Sequence, residues 1–264
     1  MDEFMNHILI SAYTNEKIKE YRKLLTSRKA RRESGLFPLE GLRLCADAAA
    51  SGFPIETLFL TESAEEKGGE RLELLCKNAR RIYTVSPAVA EKMADTVSTQ
   101  GVFCTVRMET EQMFCVRSGG RYVVLDRVQN PQNLGAIART AEALGADSII
   151  VFGGCDRYNP KALRASMGSL LRLPVFETED IAETLRTLGE TVFTFAAVPD
   201  ANALSVSDAD FSRGAAVVIG NEGEGVSDTV LSAVQSRVTI PMRGNAESLN
   251  AAAAAIILMW EMTK

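Results

Sequence analysis

The stretch RYVVLDRVQNPQNLGAIARTAEALGADSIIVF, residues 121–152, is the one whose reading decides the fold. It opens on an apolar run, RYVVLDRV (121–128), and closes on another, SIIVF (148–152). Between them Leu134, Ile137, Ala138, Ala141 and Leu144 recur at i, i+3, i+4, i+7 and i+10, the stripe of a core-facing helix over 133–145. Asn133 is placed to cap that helix, and Gly135 gives room for backbone or ligand to approach. Arg139 falls on the opposite face, where an ordinary pairing with Glu142 at i+3 would occupy it.

The alternation continues to the C-terminus. Helices are predicted over 160–171, 180–188, 226–235 and 247–263, and strands over 173–177, 191–198, 215–220 and 237–242. Apolar strands interleaved with helices predict a parallel sheet covered on both faces, and such sheets bind ligands at the carboxyl ends of their strands. The first half reads as a smaller α/β unit, with helices over 16–33, 39–51, 64–81 and 87–94 and strands over 56–60, 81–86 and 101–108. ETEQMFCVRSGG (109–120) is the connection, which gives domains at 1–110 and 121–264 with a linker at 111–120.

Composition excludes several classes. The 264 residues are 46% hydrophobic and 24% charged, ordinary values for a globular chain. No apolar run reaches the roughly 20 residues that span a bilayer. MDEFMNHILI carries acids where a signal peptide carries Lys or Arg, so a cytoplasmic protein is expected. The five cysteines (45, 76, 104, 115 and 155) never stand in Cys-x-x-Cys spacing, which favours reduced thiols over disulfides or zinc. His7 is the only histidine, so His-based hydrolysis and His-ligated metals are disfavoured and no metal is expected.

Net charge is −5, yet Lys17 to Arg43 holds nine basic residues against three acids. Arg28, Lys29, Arg31, Arg32 and Arg43 are therefore candidate phosphate contacts, the competing reading being a solvated helix face.

Three strands run into polar, glycine-rich turns at 126–135, 220–227 and 242–250. In VVIGNEGEGVS (217–227) the glycines follow the order G-x-x-G-x-G, the reverse of a dinucleotide fingerprint. Glu222 and Glu224 there repel phosphate and suit hydroxyls, amines or a cation. Ser227 is placed to cap the next helix. In TIPMRGNAESLNAAAAAIILMW (239–260) Ser248 and Asn250 stand at the start of an alanine-rich helix able to pack closely, and a buried Asn250 needs a partner. Arginine, glutamate and asparagine among glycine-lined backbone, without a phosphate lysine, fit a small polar cofactor held by main chain.

LDRVQNPQNLGAIARTAEALGAD, VVIGNEGEGVS and IPMRGNAESLNAAAAA, in that order, resemble the three motifs of the SpoU/TrmH branch of the SPOUT methyltransferases. NPKALRASMGSLLRLPV (159–175) is similar to that family's middle section, and the resemblance runs from about 121 to 262. KIKEYRKLLTSRKARRESGLFPLEG resembles, more loosely, the ribosomal-protein-like RNA-binding domain often attached to these enzymes. The resemblance implies a parallel sheet with a deep trefoil knot, a homodimer formed through the knotted region, and methyl transfer from S-adenosylmethionine to a ribose 2′-hydroxyl of RNA. Ribosomal RNA is favoured over transfer RNA. It implies catalytic roles for Arg139, Asn133, Glu222, Asn250 and Ser248, and cofactor contacts at Gly220, Ile240, Met242 and Leu249. Ala252 stands where many relatives carry serine. Two alternatives remain at this point: a non-catalytic RNA-binding or ribosome-assembly protein that keeps the fold, and a dinucleotide-dependent α/β enzyme.

Overall fold

The computed structural model describes residues 8–109 and 114–264; His7 and the first part of the expected linker lie outside the described residues. The chain divides into two compact units. One comprises residues up to 109 together with Tyr158–Pro160, the other residues 114–157 and 161–264.

The first unit contains β1 (Ile8–Ile10), α1 (Glu16–Thr26), α2 (Arg28–Ser34), β2 (Leu36–Glu40), α3 (Leu42–Ala50), β3 (Ile55–Leu60), α4 (Glu62–Lys67), α5 (Glu70–Asn78), β4 (Ile82–Val85), α6 (Pro87–Met93) and β5 (Val102–Arg107). Its sheet runs β1-β4-β3-β5-β2, with β5 antiparallel to both of its neighbours. Ile18 and Tyr21 of α1 pack with Phe59, Val89, Met93 and Phe103 in its core.

The expected helix over 16–33 is two helices. Ser27 ends the first, and its hydroxyl caps the second by accepting from the Ala30 N–H at 3.1 Å. Residues 64–81 also divide, at Gly68 and Gly69, both at positive φ. The helix expected from residue 39 starts instead at Leu42, after β2. Pro38 masks that strand in the sequence, and it is tolerated because β2 is a sheet edge, where a missing N–H breaks no ladder.

The second unit contains β6 (Arg121–Asp126), α7 (Pro131–Ala143), β7 (Ser148–Phe152), α8 (Pro160–Ala165), α9 (Ser169–Arg172), β8 (Val175–Thr178), α10 (Ile181–Gly189), β9 (Phe193–Ala197), β10 (Leu204–Ser205), β11 (Ala215–Ile219), α11 (Asp228–Ala233), β12 (Ser236–Thr239) and α12 (Ala251–Glu261). Its sheet runs β10-β12-β9-β11-β6-β7-β8, and every pairing is parallel. β11 and its neighbour β6 are buried almost throughout, as strands covered on both faces must be. β7 and β8 extend one side of β6, and the chain then returns to build β9, β11 and β12 on the other. That reversal is the kind of switch point at which α/β sheets bind ligands.

Residues 114–120 pack on this second sheet. Phe114 lies edge-on to Tyr122 and Phe176, and the Arg117 N–H donates to the Tyr122 hydroxyl at 2.8 Å. Helix α7 starts two residues earlier than expected. Pro131 occupies its first turn, and Asn130, rather than Asn133, is its cap, accepting from the Gln132 N–H at 2.9 Å. Gly135 is the contact point with α8: a Cβ there would lie 2.5 Å from the Ala165 Cβ and 2.6 Å from the Ala162 carbonyl. The close approach is made by backbone.

Candidate active site

The first loop leaves β6 at Asp126, the second leaves β11 at Gly220 and the third leaves β12 at Ile240. Asn221 shapes the second loop. Its side-chain oxygen accepts from the N–H groups of Gly223 and Glu224, at 2.9 and 3.0 Å, while its backbone exchanges bonds with Gly225. A Cβ on Gly220 would sit 2.2 Å from the Gly225 carbonyl carbon, so glycine there lets the turn close on itself. Ser227 ends the loop and caps α11.

The turn presents Glu222 to the first loop. Its carboxylate accepts from the backbone N–H groups of Gln129 and Asn130, each at 3.0 Å, and from the Asn133 side-chain amide at 2.9 Å. Burial alone pushes the Glu222 carboxyl up, but these donors outweigh it and hold the group below the usual carboxylate range. A carboxylate so occupied stays ionised and organises the two loops. It is poorly suited to carry protons.

Asn133 is buried inside α7, and its side-chain oxygen accepts from the Asn250 amide at 3.1 Å. Asn250 is the cap of α12, its oxygen accepting from the Ala252 and Ala253 N–H groups at 2.9 and 3.3 Å. The helix expected from 247 therefore starts at Ala251, and the partner that Asn250 needs is Asn133. Glu222, Asn133 and Asn250 form one hydrogen-bonded chain that joins the three loops.

A cavity of about 470 Å³ opens beside this chain. Gly220, Ile240, Met242 and Leu249, the residues expected to hold a cofactor, all line it, as do Glu222 and Ser248. Its lining carries the carboxylates of Glu222, Glu224 and Glu247 and neither lysine nor arginine, which favours a cationic ligand. Ala251 and Ala254 of α12 face it, whereas Ala252 is buried and does not line it, so the hydroxyl missing at 252 leaves the cavity wall unchanged.

Arg139 is not brought to the cavity. It is exposed on α7, six residues and about 9 Å of helix beyond Asn133. Its expected pairing with Glu142 does not form, because the Arg172 guanidinium takes that carboxylate at 2.8 Å. Of the basic candidates in the first unit, Lys29, Arg32 and Arg43 are exposed and Arg28 is half-buried. Arg31 is a correction: it is only 2% exposed, and its guanidinium donates to the Leu24 carbonyl at 2.5 Å, pinning α2 to the end of α1. Among the described residues no cluster of His, Cys, Asp and Glu is arranged to hold a metal.

Arg127 and Asn221, which sequence reasoning passed over, also act here, together with Glu224. Arg127 bonds Asp126 at 3.1 Å and Glu224 at 2.5 Å, and these partners raise its guanidinium above its usual value. Partners nearly a hundred residues apart leave no local signal in the sequence.

Residues 120–260 match the family model described as the SpoU rRNA methylase family, and residues 15–104 match an MRM3-like substrate-binding domain. The chain belongs to the SpoU rRNA methylase family. It is 34% identical to an uncharacterized tRNA/rRNA methyltransferase of Synechocystis, over 96% of this chain and 92% of that one. It is 31% identical to the 23S rRNA (uridine(2479)-2′-O)-methyltransferase of Streptomyces viridochromogenes, over 95% and 90%. The crystal structure of an AdoMet-bound rRNA methyltransferase from Sinorhizobium meliloti superposes with a TM-score of 0.85 at 28% identity, covering 96% of each chain. Membership of the SpoU family sets aside the dinucleotide-dependent reading.

Proposed function

We propose that this SpoU family member transfers a methyl group from S-adenosylmethionine to a ribose 2′-hydroxyl of RNA, with large-subunit ribosomal RNA favoured over transfer RNA. The observation that carries the reading is the acid-lined cavity at the carboxyl ends of β9, β11 and β12, joined to the Glu222–Asn133–Asn250 chain. Its volume suits a nucleoside-sized ligand. Main chain at Gly220, Ile240, Met242 and Leu249 would hold the donor. When bound, the donor supplies an electrophilic methyl on a cationic sulfur, and the carboxylates of the lining suit that charge.

A ribose hydroxyl is a weak acid. As its oxygen bonds the methyl carbon, the carbon–sulfur bond breaks with its electron pair left on sulfur and the proton passes to solvent water, so the oxygen needs its developing charge stabilised. We assign that role to Arg139, a permanent cation, rather than to Glu222, whose lone pairs are already committed. Arg139 has no ion-pair partner among the described residues, which leaves its five donors free for RNA. Asn133, Asn250 and Ser248 orient the loops around the reacting groups.

A second copy completes the proposal. Ile256 and Trp260 of α12 are 39% and 54% exposed, an apolar face suited to a homodimer, and the family's trefoil knot would thread the same C-terminal segment. The first unit's exposed basic residues would contact RNA phosphates, and a ribosomal substrate would make the protein cytoplasmic. Arg139→Ala tests the assignment. Donor and RNA binding measured by calorimetry should stay near normal while turnover falls about 10²–10³-fold. Near-wild-type turnover would remove Arg139 from the chemistry.

A further inference from the structure

We infer that Arg127 is a positioning residue for the methyl donor: it ties the second loop to the first at two points, supports the Asp126 carboxylate that makes a third, and so fixes one wall of the cavity. The inference rests on the donor occupying that cavity.

Arg127 adopts a φ of +58°, in the left-handed region that non-glycine residues rarely enter, so its surroundings must hold it there. Its N–H donates to the Phe152 carbonyl at 2.8 Å, and its own carbonyl accepts from the Asn221 side-chain amide at 2.9 Å. Its guanidinium bridges Asp126 and Glu224. Asp126 is fully buried, and its second oxygen accepts from the Ser227 N–H at 2.6 Å.

The second loop is thus held at its start through Asn221, at its middle through Glu224 and at its end through Ser227. All three tethers converge on the Asp126–Arg127 pair at the end of β6, and none uses Glu222. Asn221 and Glu224 line the cavity, whereas Arg127 does not. Arg127 therefore acts through the loop, without touching the ligand. Removing its guanidinium leaves buried Asp126 short of a partner and frees the Glu224 carboxylate to move at the cavity rim.

The test measures S-adenosylmethionine affinity by calorimetry, the KM for RNA, and the ligand-free melting temperature. Arg127→Ala is expected to weaken the donor about tenfold, and Arg127→Lys, which keeps the charge but loses the two-armed fork, to recover part of it. Glu224→Gln, at a side chain 70% exposed, serves if Arg127→Ala fails to fold, and is expected to weaken the donor about threefold with unchanged melting and RNA KM. Donor affinity unchanged in folded Glu224→Gln and Arg127→Lys overturns the inference, as does an equal loss of RNA affinity. Ala254→Trp, which fills the cavity, separates the two claims. If it leaves donor binding intact, the cavity reading itself fails. If it abolishes binding while the Arg127 and Glu224 variants leave donor affinity unchanged, only the positioning role fails.

Discussion

Asn133 donates to Glu222 and accepts from Asn250, so truncating it unpairs two side chains at once. Asn133→Ala should cost about 1–3 kcal/mol in urea denaturation, with a drop in methyl transfer, because a buried network loses its central member. A loss below about 0.5 kcal/mol would mean that water replaces the amide without cost. Glu222 carries a pH signature. Its carboxyl is held below its ordinary value of 4.5, so the stability it contributes is complete above that value and is lost as pH falls through the lower folded value. The stability gap between wild type and Glu222→Gln should be widest near pH 7 and narrow steadily below about pH 4.5. A gap independent of pH would contradict the assignment. These residues were legible as candidates because Asn and Glu stand in polar turns after strands. Their mutual bonds were not, since Asn133 and Asn250 are 117 positions apart and pair only once three strands align. Asn133 was expected as a cap, and the signal that misled was real but belonged to Asn130.

Helix α7 was read from the spacing of Leu134, Ile137, Ala138, Ala141 and Leu144; the first four are buried, whereas Leu144 is the helix's C-cap and only half-buried. Strong 3.6-residue periodicity survives folding because one face must meet the core. What the pattern hides is the break made by a single side chain or a glycine pair, as at Ser27, Gly68–Gly69 and Met167–Gly168, and the edge strand that contains Pro38. The closeness of α7 to α8 belongs to this scale. Gly135→Ala would raise helix propensity by up to about 1 kcal/mol, yet its methyl would overlap the backbone and Ala165 of α8. Net destabilisation of about 1–3 kcal/mol is expected in thermal melts, and a stabilised variant would show that the helices separate at little cost.

Across the whole molecule, fold class and the order of the three loops were readable because each strand runs into a loop rich in glycine and polar residues. The basic segment was readable as charge but not as geometry, since Arg31 turns inward while Lys29, Arg32 and Arg43 remain outside. Replacing Lys29, Arg32 and Arg43 with alanine should weaken RNA binding and lower its salt slope by up to about 0.7–0.9 per lost phosphate contact. Arg31→Ala should instead lower stability and leave the slope unchanged. Equal slopes for wild type and the triple variant would remove the patch from the interface. The central claim is methyl transfer to ribose oxygen, and its most direct measurement follows a labelled methyl group from S-adenosylmethionine into RNA, with the product then hydrolysed in alkali. A 2′-O-methyl group blocks cleavage at its own phosphodiester, so the account predicts label confined to alkali-resistant dinucleotides. Label in mononucleotides, on a base, or absent from RNA altogether would contradict it.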